Sequence, residues 1–529
     1  MMATRGLVVA ANGAAATSQP LATAAALAVL GRGGTFADAA IAASAVLCVV
    51  EPWNSHLGGD AFLIVHDAKL RETLAYNASG AAPKSATRAS YSEGIPVHGP
   101  RAVTVPGLVD AWFALHQRHG MLPLQDLLAP ALRYAKEGYP AGPRAVKKFA
   151  EFAHVAGLEA LGTRTPVLGE MICQPELAWS LAEIAKNGRD TFYSGTIAER
   201  IVAASEGHFS FEDLAAHKTR VLAPLSVDYR GLTVHCQPPP SQGMILAQEL
   251  ALAEGFKLAE LTEAERTHIL VECKKRAFAD RFAHLADPEW HDIPLEKLLS
   301  APYLAKQRAQ IGEQATVMPS PVIGGQGVNL GDEGQDTTYF LIADAHGNAV
   351  SFIQSIFHNF GSAWIPGGTG ILFNNRLTGF SLDPASPNVL EPGKRPAHTL
   401  NAWLATHPDG SLALVGGTPG ANIQVQTNLQ LLVNTLDLGL DPQEAIERPR
   451  WQHSSDGGNT GQSETGLGVL ELEDRAETTL FTELTARGHS VKPIGPWAHG
   501  SAAQLLKVLP GGAYAVGSDP RCDGHAGGI

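Results

Sequence analysis

Between Ile323 and Gln335 the chain turns polar and Gly-rich, with glycine at 324, 325, 327, 331 and 334, and its character changes across that stretch. Such a segment offers little to a core and reads as an exposed connection. Before it, helical patterns dominate. Gln19–Leu30 is an Ala/Leu helix closed by Gly31-Arg-Gly-Gly34, and Thr35–Val50 is a second helix ending before Pro52. Further helices are expected at Leu108–His119, Pro123–Glu137, Ala178–Asn187 and Glu263–Ala286, with one clear strand at Gly59–Asp67 and a rigid loop at Pro238–Gly243. After it, β-rich runs prevail at 337–343, 349–356, 412–416 and 503–516. Helix-rich first and strand-rich second predicts sheets covered by helices, not a repeat array.

With 529 residues, 45% of them apolar and 17% charged, the chain can bury a large interior. A net charge of −13 without any Lys/Arg run speaks against a nucleic-acid partner. The apolar stretch Ala37–Val50 contains Asp38 and is too short to span a bilayer, and Met1–Asn12 lacks the features of a secretory signal. Five scattered cysteines with no Cys-x-x-Cys spacing fit reduced thiols. The expectation is a cytoplasmic protein with no membrane partner. Phosphate-loop, nucleophile-elbow and zinc-helix motifs do not occur, and histidine pairs such as His116/His119 lack the context of a metal site. No metal and no cofactor is expected.

Thr337 opens a hairpin whose turn is Asp344–Asn348. Taken alone, a Thr-Thr pair at a strand start is ordinary β propensity. Three other segments give it company. Gly416–Ala421 follows a strand and can turn successive N–H groups toward one point, a nest suited to an oxyanion. The tight loop Gly367–Gly370 precedes a short run ending in Arg376, and Glu391–Thr399 forms a rigid polar turn.

With these pieces the chain resembles the γ-glutamyltranspeptidase family of N-terminal nucleophile hydrolases. The matching segments, in the family's order, are Gly33–Ala40, Val50–Pro52, Leu57–Asp60, Val105–Gly107, Pro238–Ser241, Ala277–Arg281, Asp336–Tyr339, His346–Val350, Lys394–Pro396, Pro419–Gly420 and Ser518–Arg521. The resemblance implies an α+β fold, the four-layer αββα sandwich, built jointly by a helix-rich large chain (1–336) and a strand-rich small chain (337–529). It implies self-cleavage between Asp336 and Thr337. A freed α-amine titrating near ~7.7–8.0 would then activate the Thr337 hydroxyl, which unaided is a poor nucleophile. By position, Ser355 matches the hydroxyl that bonds the nucleophile, and the N–H groups of Gly420 and Ala421 match the oxyanion donors. Alanine is acceptable at 421 provided its φ stays negative.

The substrate-reading positions depart from the family. Ser79 stands where a large-chain arginine grips the γ-glutamyl carboxylate. Phe357, Arg376 and Gly379 stand where Asn, Gln and Asp hold its amino-acid end, and His398-Thr399 replaces a Ser-Ser pair. Losing the acid and gaining Arg376 favours an anionic acyl group without an amine, although Arg376 can also be read as a structural ion-pair residue. With His398 and Thr399 it forms the expected substrate-binding set. The segment from Phe380 to Lys394 is shorter than in lidded members, which predicts an open pocket. This pattern is similar to a cytoplasmic branch that includes oxamate amidohydrolase, and a small acid amide such as oxamate is the expected substrate. The alternatives are conventional γ-glutamyl transfer or glutathione hydrolysis, and an unprocessed homologue that only binds.

Overall fold

Alternate residues of the strand Asp60–Asp67 enter different cores: Ala61, Leu63 and Val65 point one way, Phe62 and Ile64 the other. A strand buried on both faces needs a layer on each side, and the rest of the architecture supplies them. The computed structural model describes residues 4–162, 165–318, 337–454 and 466–529.

Two seven-stranded antiparallel sheets form the centre. The first runs His525–Gly528, Gly13–Thr17, Thr338–Asp344, Ala349–Ser355, Asp60–Asp67, Glu72–Ala78, Arg220–Leu222. The second runs Val8–Ala10, Tyr514–Ser518, Gln504–Val508, Leu412–Gly417, Trp403–Thr406, Leu232–Cys236, Leu225–Tyr229. Three apolar clusters fill the gaps between four layers. One joins the first sheet to helices that include Pro20–Gly31, Phe36–Val50, Leu108–His119 and Leu124–Glu137. A second lies between the sheets, where Phe62, Tyr339 and Ile353 meet Leu404, Val415 and Leu506. The third joins the second sheet to Gly243–Ala253, Glu263–His284 and Ile423–Leu436. This is the αββα sandwich.

The helices stop and start where local chemistry dictates. Phe36–Val50 begins at a capping box formed by Thr35 and Asp38, and all of its residues are buried. Its alanines let it lie close to both the sheet and Pro20–Gly31. Residues from the two sides of the Gly-rich connection share each sheet: Gly13–Thr17 and Asp60–Asp67 flank the hairpin Thr338–Ser355. Neither stretch could bury its apolar faces without the other.

Two sequence expectations need correction. The run 503–516 is two strands, Gln504–Val508 and Tyr514–Ser518, reversed by a turn in which Leu509 N–H bonds the Ala513 carbonyl. Pro510-Gly-Gly512 supplies that turn, with Gly512 at φ 83°. The strands Gly13–Thr17 and His525–Gly528 were not anticipated, because Ala- and Gly-rich segments carry low β propensity. The packing of Ala14 and Ala16 against neighbouring strands overrides it.

The C-terminal Ser518-Asp-Pro-Arg521 segment is locked by buried charge. Arg521 Nη2 lies 2.6 Å from Glu473 and its Nη1 3.1 Å from Asp519, while Arg450 meets Asp519 at 2.7 Å and Arg475 meets Glu473 at 2.6 Å. Burial would raise the Glu473 carboxyl, but Arg521, and then Arg450, hold it down at about 2. A carboxylate depressed in the folded state stabilises above its unfolded value, near ~4.3, and that contribution is lost as pH falls toward 2. Replacing Arg521 with Ala should therefore cost about 3–5 kcal/mol at pH 7, because it leaves buried acids uncompensated. The stability difference from the parent should shrink between pH 4.5 and pH 2, followed by denaturant unfolding; a difference independent of pH would refute this account.

Candidate active site

The register of the first sheet assembles the candidate catalytic row. Thr338 pairs with Gln354, so one step further Thr337 lies opposite Ser355, and its Oγ1 donates to Ser355 Oγ at 3.0 Å. Ser355 pairs in turn with Asp60 on the next strand. Ala61 pairs with Ala78, so the following step sets Ser79 beside Asp60, and Gly80 N–H donates to Asp60 Oδ1 at 3.1 Å. Thr337, Ser355, Asp60 and Ser79 thus follow one another across four adjoining segments, on the face turned toward the second sheet. The preceding Gly58-Gly59 pair is required by close approach. A Cβ at Gly59 would lie 2.5 Å from the Ser355 carbonyl oxygen, and one at Gly58 would lie 2.5 Å from that of Leu372.

The other face of the same strands is anchored beneath. Ser18 Oγ lies 2.5 Å from Thr338 Oγ1 and donates to Glu51 at 2.7 Å. Gln354 Nε2 donates to Ser55 Oγ at 2.6 Å. Burial pushes the Glu51 carboxyl up, against the pull of Ser18 and Asn54. This grip on the neighbour of Thr337 explains the place of Val50-Glu-Pro52 in the chain.

Beyond Ser355 the chain turns back: Phe357 N–H donates to Ser355 Oγ at 2.8 Å, and the Phe357 ring lies 4.2 Å from the Arg376 guanidinium carbon. Arg376 is 1% exposed, its Nε donates to Asp60 Oδ2 at 3.3 Å, and Nη1 and Nη2 have no hydrogen-bond partner among the described residues. Burial lowers the guanidinium to about 10, with Asp60 opposing, so it stays charged at neutral pH. Asp60 is raised to about 6 by the same burial, against the pull of Arg376. His398 is fully buried, its ring tilted at 58° to that of Phe62 with centroids 4.9 Å apart, and its Nε2 is 3.8 Å from Asp60 Oδ2. Desolvation, reinforced by Arg376 and Arg395, keeps this imidazole neutral. Neither of its nitrogens has a hydrogen-bond partner among the described residues.

The turn Thr418–Ala421 leads into the helix Ile423–Leu436, so its N–H groups sit at the positive end of a helix dipole. Neither the Gly420 nor the Ala421 N–H finds an acceptor among the described residues. The strand before this turn is tied to the candidate row through Tyr339, whose hydroxyl is 2.8 Å from Ser351 Oγ, which donates to the Gly416 carbonyl at 3.2 Å. Gln242 Nε2 then bridges two loops, donating to the Thr399 carbonyl at 2.6 Å and the Ala421 carbonyl at 2.8 Å.

The structure therefore joins Thr337, Ser355, Arg376 and His398 in one continuous set of contacts, with the Gly420–Ala421 turn linked to it. Several expectations change. Ala421 was expected at negative φ but sits at +46°, beside Gly420 at +124°. The turn, not the residue's preference, sets that angle, and a non-glycine there costs of order 1 kcal/mol. Thr399 enters by its carbonyl, held by Gln242. Beside Arg376 in the chain, Leu377 packs with Phe380 and Leu390 against Ala82, Ala86 and Tyr91. Asp336 lies outside the described residues. Asp60 and Gln242 received no role from sequence. An acid placed directly after Gly-Gly and ahead of an apolar strand was the available signal for Asp60.

One further group, His268, Glu272 and His489, has ligand-type atoms within 4.8 Å of one another. Glu272 is already paired with Lys275 and Arg276, each at 2.9 Å, and the two imidazoles bond each other at 2.8 Å. Two cations on the only acid oppose a metal ion there.

Comparison with known proteins gives the family and the fold. The family described as gamma-glutamyltranspeptidase matches residues 22–529. The glutathione hydrolase-like YwrD proenzyme of Bacillus subtilis is 38% identical over 95% of each chain. The oxamate amidohydrolase proenzyme of Klebsiella pneumoniae is 35% identical over 98% of each. Among solved structures, the cephalosporin acylase from Bacillus halodurans superposes with a TM-score of 0.89 at 33% identity, covering 100% of this chain and 98% of that one. The chain belongs to the γ-glutamyltranspeptidase family, with the N-terminal nucleophile hydrolase fold of its structural neighbours.

Proposed function

We propose that this enzyme is cut between Asp336 and Thr337 and that the freed Thr337 hydrolyses the amide of a small acid such as oxamate. The observation that carries the substrate reading is Arg376: a buried guanidinium with Nε committed to Asp60, and Nη1 and Nη2 unpartnered among the described residues. A carboxylate is the natural partner for that pair of donors, and one bound without an adjacent amine needs no further anion in the pocket.

Catalysis then follows from the geometry. The α-amine of Thr337 takes the proton of Oγ1, which Ser355 orients from 3.0 Å. Oγ1 attacks the amide carbon, and the oxyanion is met by the N–H groups of Gly420 and Ala421 at the helix start. Ammonia departs with that proton, leaving an acyl ester on Thr337. Water, activated by the Thr337 α-amine, releases the acid and regenerates the hydroxyl.

A second reading, γ-glutamyl transfer or glutathione hydrolysis, is favoured by relatives bearing that name, including one from Pseudomonas aeruginosa at 33% identity. Asp60 would have to receive the substrate's ammonium, yet its two oxygens already face Gly80 N–H and Arg376. The cysteines are free, four of the five buried, which supports a reducing, cytoplasmic setting.

Intact-mass measurement of purified protein should find two chains, 1–336 and 337–529, and a lasting single species would sink the processing proposal. Thr337→Ala should remain uncut and inactive; cleavage in that variant would mean the nucleophile lies elsewhere. Arg376→Met should lower kcat/KM for oxamate by about 100-fold or more. Faster turnover of a γ-glutamyl anilide than of oxamate by the parent enzyme would favour the second reading.

A further inference from the structure

We propose that Asp60 is a positioning residue that sets selectivity for a carboxylate-bearing acyl group, by holding the Arg376 guanidinium through Nε so that its Nη pair faces the substrate. The inference rests on the acid-amide reading above and concerns a residue to which the resemblance lends no role.

Asp60 is fully buried and sits beside Ser355 in the strand ladder, so its carboxylate is placed within the candidate row instead of at its rim. Its Oδ1 is fixed by Gly80 N–H at 3.1 Å, which orients Oδ2 toward Arg376 Nε at 3.3 Å. The guanidinium is constrained on its flat face as well, by the Phe357 ring at 4.2 Å. Held on one edge and one face, the group has a single edge left, and that edge carries the two nitrogens unpartnered among the described residues. With its carboxyl near 6, Asp60 is ionised in an assay at pH 7.5. The arrangement also accounts for Ser79. At the position next to Asp60, where the family carries an arginine, this chain has a small hydroxyl bonded to Asn77 at 2.6 Å, and the guanidinium enters from residue 376 instead.

Positioning and plain charge predict opposite results. If Asp60 acted only as a negative charge near the substrate, removing it would strengthen anion binding. If it positions Arg376, removing it weakens binding despite the gain in positive charge.

The test compares processed wild-type enzyme with Asp60→Asn on oxamate and on oxamide, which replaces the carboxylate with a neutral amide. The readout is the ratio of kcat/KM for the two substrates, whatever the absolute rates. Wild type should prefer oxamate, and Asp60→Asn should lose at least tenfold of that preference through a higher KM for oxamate. Asp60→Ser, smaller but with an acceptor oxygen, gives the same readout should the amide variant not fold. An unchanged or lower KM for oxamate in these variants, with wild-type preference intact, would overturn the role of Asp60 alone. A wild-type enzyme with no preference for oxamate over oxamide would overturn the acid-amide reading and this inference with it.

Discussion

The antiparallel pairing of Thr338–Asp344, Ala349–Ser355 and Asp60–Asp67 is the constraint on which the site depends. Because side chains alternate strictly along a strand, that register sends Thr337, Ser355 and Asp60 to one face and Thr338 and Gln354 to the other. A slip of one residue would exchange the faces and place the candidate nucleophile under the helices. The apolar clusters oppose such a slip, since Tyr339 and Ile353 belong to the inter-sheet core and Phe340 and Phe352 to the helix-covered one. The same packing that stabilises the sandwich therefore aims the chemistry.

Two buried charge groups show how differently a protein treats structure and function. Around Arg521, acids and bases alternate at ion-pair distance, and the acids are held ionised. Around Arg376, one acid meets one guanidinium edge, and the Nη pair and a buried imidazole lack partners among the described residues. Leaving such donors unmade is costly in a finished core. It is reasonable where a substrate completes the set, which is why the second group reads as a binding site and the first as a lock.

Much of this was legible in sequence because it depends on local pattern. Leu108–His119 appears with the expected bounds, and the hairpin with its turn at Asp344–Asn348 is there. Elements governed by neighbours were not legible. Gly13–Thr17 is a strand because strands on either side pair with it, against the preference of its alanines. Ala421 adopts a positive φ because the turn into its helix demands one. Asp60 has no periodic signature at all; its meaning arises from Ser355 and Arg376, which lie about 300 residues away in the chain.

The sequence by itself determined that helices cover sheets, through its apolar periodicity, and through the ordered motif segments a resemblance to the family, which implied the four-layer fold and a threonine nucleophile. Only the tertiary structure decided what surrounds that threonine. Cross-strand register placed Asp60 beside Ser355, burial left Arg376 with two nitrogens unpartnered among the described residues, and Leu377 and Phe380 next to it packed on Tyr91 and its neighbours. These are consequences of contacts between distant segments, and no local pattern encodes a distance.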